Sequence, residues 1–208
     1  MTVVAALCGC NNNEENDVYS CDKQLNEWAH DNLRSIRSMD RESWLQLDEQ
    51  YKRPAFNALT PTQKVLFWKN KIQEVLTLDW NDQEEEHILK LYQYFDGHPN
   101  MYEEEVLNDS VKRDDFQQFA AKWRVDALFD LGWTEEQVYG IVFTGNRMIN
   151  KMGEFAISYA GRLRTLSESS SDDNCNCNSG EKGCESECKN ETTTGCGIAY
   201  SNACNGKR

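Results

Sequence analysis

No stretch of about 18 apolar residues, the length that a membrane-spanning helix needs, occurs anywhere in the chain, whose mean hydropathy is −0.76. Attachment to a membrane would therefore require an anchor. Basic residues are scarce: 22 Lys and Arg face 35 Asp and Glu, a net charge of −13 over 208 residues. Nucleic-acid binders present a basic face that releases counterions from phosphates, so nucleic acid is not an expected partner. Only three histidines are present, His30, His87 and His98. A Gly-x-Ser-x-Gly elbow, a glycine loop that cradles phosphate and a His-Glu-x-x-His zinc motif are all missing. Neither an enzyme nor a cofactor is expected. Cysteine is absent from 22 to 174, although the chain holds nine: Cys8, Cys10 and Cys21 early, then Cys175, Cys177, Cys184, Cys188, Cys196 and Cys204.

With 39% hydrophobic and 11% aromatic residues, there is enough bulk to offset the entropy of ordering one domain, so disorder throughout is excluded. Charge is unevenly spread. In the last 34 residues the basic Lys182, Lys189, Lys207 and Arg208 cancel Glu181, Glu185, Glu187 and Glu191, so the first 174 residues carry the whole −13.

The chain opens MTVVAALCGC. A short apolar segment, a small residue at Gly9 and then Cys10 resemble a bacterial lipoprotein signal, which makes Cys10 the expected lipidated residue. The polar, acidic stretch Asn11 to Asp17 then reads as a tether. Such acidity just after the lipid favours display on the outer surface in some Gram-negative lipoproteins. More than one acyl chain on Cys10 would hold firmly, since each buried CH₂ contributes roughly 0.8 kcal/mol. Export also places the cysteines in a compartment that permits disulfides.

From Asp22 to Leu166 the apolar periodicity is helical. Thr60-Pro61-Thr62-Gln63 forms a capping box with proline at the first helical position; behind it Val65, Trp68, Ile72, Val75 and Leu76 share a face. Asn81 starts a helix with an acidic first turn and the stripe Ile88, Leu89, Tyr92, Phe95, ended by Gly97 and Pro99. Another starts near Asp115, buries Phe116, Phe119, Trp123, Ala127, Leu128 and Leu131, and stops at Gly132. Thr134 to Gln137 is a second capping box before Val138, Ile141 and Val142. Leu25, Trp28, Ala29, Leu33 and Ile36 form one earlier helix; Trp44, Leu45 and Leu47 form another. Helix is also the expectation around Met148, Ile149, Met152, Phe155, Ile157 and Tyr159, loosened by Gly145 and Gly153. The six tryptophans, Trp28, Trp44, Trp68, Trp80, Trp123 and Trp133, fall at core-like spacing and read as packing. The expected fold class is all-α: a multi-helix bundle over 22–166, after the signal remnant and tether of 1–21.

Glu84-x-x-His87 has the spacing of carboxylate-bridged di-iron bundles, but such sites need a second copy and two further glutamates, which the chain lacks. Glu84 is therefore expected to sit in a solvated helix start. His98, between Gly97 and Pro99, reads as a turn residue, and His30 as the boundary of an apolar face. No metal site is expected from them.

Ser167 to Asp173 reads SESSSDD, a polar hinge over 167–174. Beyond it 175–208 holds six cysteines and, besides the sulfurs, only Ile198, Ala199, Tyr200 and Ala203 to bury, so cross-links must hold a small loop-rich module. Spacings of one, six, three, seven and seven residues do not show the paired Cys-x₂-Cys knuckles of structural zinc. Disulfides among Cys175, Cys177, Cys184, Cys188, Cys196 and Cys204 are expected, with zinc as the rival. Six cysteines allow 15 pairings. Cys21 is expected to be left over, and truncation after Asp173 is expected to spare the helical domain.

The tail motifs Cys175-Asn-Cys177, Gly195-Cys196-Gly197 and Cys204-Asn-Gly206, with the lipoprotein-like start and the segment Gly132 to Gln137, resemble the bacteriocin fulvocin C-related proteins of Gram-negative bacteria. The resemblance is strongest over the last 34 residues. It implies a lipid-anchored carrier with an antibacterial, bacteriocin-like Cys-rich tail, active attached or after release by a protease that cuts the polar hinge Ser167 to Asp173. A neutral tail lacks the attraction to anionic lipids that basic residues supply at roughly 1 kcal/mol each, so a toxic tail would need a protein receptor. The alternative is a surface lipoprotein, on the outer membrane or cell surface, that binds a partner without catalysis and uses the tail as a rigid knob.

Overall fold

The computed structural model describes residues 17–159, 162–166 and 192–204. Nine helices lie among them: α1 (Lys23–Asp31), α2 (Leu33–Arg37), α3 (Arg41–Leu45), α4 (Glu49–Ala58), α5 (Pro61–Val75), α6 (Asp82–Gly97), α7 (Glu104–Leu107), α8 (Ser110–Phe129) and α9 (Glu135–Val142). The starts follow local chemistry. Thr60 and Thr134 each accept the N3 amide while Gln63 and Gln137 reach back to the cap amide, closing both capping boxes, and Asn81 does the same with Glu84. Each such box satisfies amides that a helix start otherwise leaves without partners.

Four local readings are corrected. The first helix divides at Asn32, where φ −106° and ψ 9° leave helical geometry and give α1 and α2. Helix α4, for which the sequence shows no apolar stripe, carries Pro54 in its interior, where the ring removes an amide donor, and buries Phe56, Ala55 and Ala58. Helix α8 starts five residues before Asp115, capped by Asp109. The expected helix after Gly145 is instead a three-stranded antiparallel sheet of β1 (Arg147–Met148), β2 (Phe155–Tyr159) and β3 (Arg162–Leu166) in the order β1-β2-β3. Its register pairs Met148 with Phe155 and Phe155 with Leu166.

Two glycines sit where the chain enters that sheet and turns between β1 and β2. A Cβ on Gly145 would lie 2.7 Å from Phe67 Cζ and from Trp44 Cη2, so the chain leaves α9 through a gap that admits no side chain. Gly153 has φ +92° and a Cβ there would lie 2.3 Å from the Glu136 carbonyl oxygen, which only glycine tolerates. The chain is therefore mostly helical rather than all-α.

One core joins the helices. Trp44, Phe56, Phe67 and Trp68 meet edge to face, with Phe56 and Phe67 centroids 5.3 Å apart and Trp44 and Phe67 4.7 Å apart. Trp123, Trp133 and His87 form a second aromatic group. Trp44, Trp68, Trp123 and Trp133 are buried, and Trp28 and Trp80 lie against the core, as the spacing of the tryptophans implies. Among the described residues no helix is long and apolar enough to cross a membrane.

Candidate functional site

The C-terminal segment is where structure and sequence part most. Residues 192–204 hold β4 (Gly195–Cys196), a 3₁₀ turn (Ile198–Tyr200) and β5 (Asn202–Ala203), closed by the Cys196–Cys204 disulfide. Ala199 and Tyr200 belong to the same buried core as the helices. The Tyr200 ring meets Phe56 at 5.1 Å and Trp68 at 5.3 Å, the Arg53 guanidinium covers its face at 4.9 Å, and its hydroxyl oxygen accepts the Gly145 amide at 2.9 Å. The Tyr102 hydroxyl donates to the Ala199 carbonyl at 2.5 Å, and burial pushes that phenol well up. Ala199 and Tyr200 take positive φ of 53° and 52°, a conformation unfavourable by about 1–2 kcal/mol per residue that surrounding contacts must impose. Over 192–204 the expectation that cross-links alone hold the tail is thus corrected: the Cys196–Cys204 bridge is there, and Ala199 and Tyr200 also pack into the helical core.

Polar groups line the same socket. Lys64 Nζ donates to Thr194 Oγ1 at 3.0 Å, and Thr194 Oγ1 donates to Asn57 Oδ1 at 3.1 Å. Burial pulls the Lys64 ammonium down to about 7, with Asp17 raising it and Arg37 lowering it by smaller amounts. Arg53 Nη1 donates to the Gly195 carbonyl at 2.6 Å. Cys21 Sγ lies 3.4 Å from the Cys204 carbonyl oxygen. Cys21 is itself disulfide-bonded, which corrects the expectation that it is left over. Its sequence position before α1 suggests nothing of the kind, because only folding brings it beside the tail. Of the expected disulfide cysteines, Cys196 and Cys204 are joined to each other; Cys175, Cys177, Cys184 and Cys188, the lipidation residue Cys10 and the hinge 167–174 lie outside the described residues.

A second feature is a groove of about 510 Å³ between the end of α6, the turn after it, α7 and the start of α8. Met101, Val106, Leu107, Val111 and Phe116 give it apolar walls; Lys112 and Arg113 also line it, and Lys112 Nζ lies 3.8 Å from Asp109. That volume lies within the range of small-molecule sites, which are mostly apolar with a few polar groups. Ser201, His98 and Asp115 share the groove, but the Ser201 hydroxyl donates to the Ile198 carbonyl at 2.9 Å and His98 Nδ1 lies 2.8 Å from the Tyr94 carbonyl. His98 stacks on Tyr94 at 4.0 Å, and its other nitrogen is 3.9 Å from Asp115. The hydroxyl is thus committed to a carbonyl instead of to an imidazole that could activate it.

Under β1 lies a third feature, a buried charged cluster. Arg41 Nη1 donates to Glu74 at 2.6 Å and Nη2 to the Gly145 carbonyl at 2.7 Å. Lys71 Nζ donates to the Asn146 main-chain carbonyl, and burial pulls its ammonium well down. Lys52 Nζ donates to Asn146 Oδ1 at 2.6 Å and to Glu49 Oε2 at 3.0 Å. Nothing in the sequence pattern marked these lysines, since lysine on an amphipathic helix ordinarily reads as solvated face.

Glu84 and His87 are both buried, which overturns the solvated reading of Glu84. The Glu84 carboxylate accepts the Asn81 amide at 2.9 Å and the Trp133 indole N–H at 3.2 Å. His87 Nε2 lies 2.9 Å from the Trp123 carbonyl, its ring stacks on Trp123, and burial lowers its pKa. His30 Nε2 lies 2.9 Å from the Asp17 carbonyl. Among the described residues no three His, Cys, Asp or Glu side chains gather as metal ligands.

No family model matches the chain, and no curated protein or solved structure is significantly similar to it.

Proposed function

We propose that the chain is an exported, non-enzymatic binding protein, held at the bacterial outer membrane or cell surface by a lipid on Cys10. In this reading the groove between α6, α7 and α8 takes an apolar ligand with a negatively charged end, and the Cys-rich tail braces the fold. The groove carries the proposal: Met101 and Phe116 offer apolar walls, and two cations, Lys112 and Arg113, line it against the one carboxylate of Asp115, on a protein whose overall charge is −13. Disulfide bonding at Cys21, Cys196 and Cys204 suits an oxidising compartment. The buried Tyr200 favours this reading over a releasable toxin, because cutting the tail away would remove a core side chain. An antibacterial role, as the fulvocin C-related resemblance implies, would then belong to the whole folded chain and a protein receptor.

Titration with an aromatic sulfonate dye that brightens in apolar surroundings tests the groove. Val111 is 76% exposed, so Val111→Glu leaves folding intact while placing a carboxylate at the site; it should weaken binding at least tenfold, about 1.4 kcal/mol. Phe129→Glu, on the same helix at an 80% exposed position outside the groove, should change nothing. Equal binding by Val111→Glu and the parent would refute the site.

A further inference from the structure

Glu49, Lys52 and Asn146 bring an amine, a carboxamide and a carboxylate into mutual contact where α4 meets the chain just before β1. Lys52 Nζ is 2.6 Å from Asn146 Oδ1 and 3.0 Å from Glu49 Oε2, and Asn146 Nδ2 donates to Glu49 Oε1 at 2.8 Å. Each of the three groups therefore touches the other two. Lys52 is 1% exposed and Asn146 2%. Both ends are fixed. The Trp44 indole N–H donates to the Lys52 carbonyl at 2.8 Å, and its ring lies 5.4 Å from Lys52 Nζ. The Asn146 amide donates to Thr144 Oγ1 at 3.1 Å, while Lys71 Nζ donates to its carbonyl.

We propose that this triad forms an intramolecular isopeptide bond between Lys52 Nζ and Asn146 Cγ, with Glu49 as the proton shuttle. The carboxylate of Glu49 takes one proton from the Lys52 ammonium through Oε2, which frees the nitrogen lone pair. Nζ adds to Asn146 Cγ, and the Glu49 carboxyl, turning its protonated oxygen toward Nδ2, gives that proton to it. The Cγ–Nδ2 bond breaks and ammonia leaves. Glu49 receives the surplus proton of the new Nζ–Cγ amide and yields it to the departing ammonia, so the net products are a secondary amide and ammonium. No oxidant, reductant or cofactor takes part.

Three physical factors favour the reaction. The buried setting of Lys52 raises the cost of carrying a charge at Nζ. Side chains held in contact react with effective concentrations far above those of free groups. Exclusion of water keeps hydrolysis from competing for the same carbonyl carbon. The product would tie positions 94 residues apart by a bond that reductants leave intact. For an exported protein this cross-link is independent of the cysteines.

Mass spectrometry of the full chain, reduced and denatured, tests the proposal. The chain should weigh one ammonia less than the Lys52→Arg variant once the difference between lysine and arginine is allowed for. Trypsin should fail to cut after Lys52 and should yield one branched peptide that contains both Lys52 and Asn146. Glu49→Gln should retain the ammonia and show separate peptides. Ordinary cleavage after Lys52 with no mass deficit would overturn the proposal. So would a deficit that persists in Lys52→Arg, since that outcome assigns the loss to a succinimide at Asn146.

Discussion

Replacing Tyr200 by alanine tests whether the C-terminal segment is part of the core. The side chain is 3% exposed and fills the space between Phe56 and Trp68. Deleting a buried aromatic ring costs about 3–5 kcal/mol. Loss of the hydroxyl leaves the Gly145 amide without its acceptor, a further ~1–3 kcal/mol if the amide stays dry. A loss of about 4 kcal/mol or more is expected, a large part of the ~5–15 kcal/mol that holds a typical domain together. Urea unfolding of the oxidised chain, followed by far-ultraviolet circular dichroism, measures it. With a slope near 2 kcal/mol per molar urea, the midpoint should fall by about 2 M. Tyr200→Phe keeps the ring and should lose only the hydroxyl's share, about 1–3 kcal/mol. A loss below 1 kcal/mol for Tyr200→Ala would show that the socket holds together without the tail, and the reasoning would fail.

Further outcomes follow from the buried lysine and the anchor. Lys64→Met should be more stable than the parent at pH 6, where the parent carries the full cost of burying the charge, and the gap should narrow above pH 7. Because the folded chain gives up this proton near pH 7 and the unfolded chain near 10.5, the parent gains about 1.4 kcal/mol per pH unit between those values. An equal gap at pH 6 and pH 9, measured by urea unfolding, would contradict the shift. Cys10→Ala should move the protein from the membrane pellet to the soluble fraction at high salt. A variant that still pellets would rule out the anchor.

Local signals were legible where the chemistry is local. The capping boxes at Thr60 and Thr134 and the stripe from Val65 to Val75 can be read directly, because each depends on residues within a turn or two of one another. Strands β1 to β3 were hidden because Met148, Ile149, Met152 and Phe155 fall at helical intervals, while the close approaches at Gly145 and Gly153 involve the distant Phe67 and Glu136. Helix α4 was masked by Pro54. The site was less legible than the fold. Lys52 and Asn146 stand 94 residues apart, Lys64 and Thr194 130 apart. A buried lysine leaves no periodic trace, and Tyr200 sits among small polar residues that resemble a surface loop.

The thermal melt of a chain ended at Asp173, recorded beside the full oxidised chain, bears most directly on the tail as a built-in brace. Loss of Thr194, Ala199 and Tyr200 opens the socket between α4 and α5, so the shortened chain should melt well below the full one and without a sharp transition. A shortened chain with the same cooperative melt as the full protein would instead make the tail a dispensable module and contradict the account.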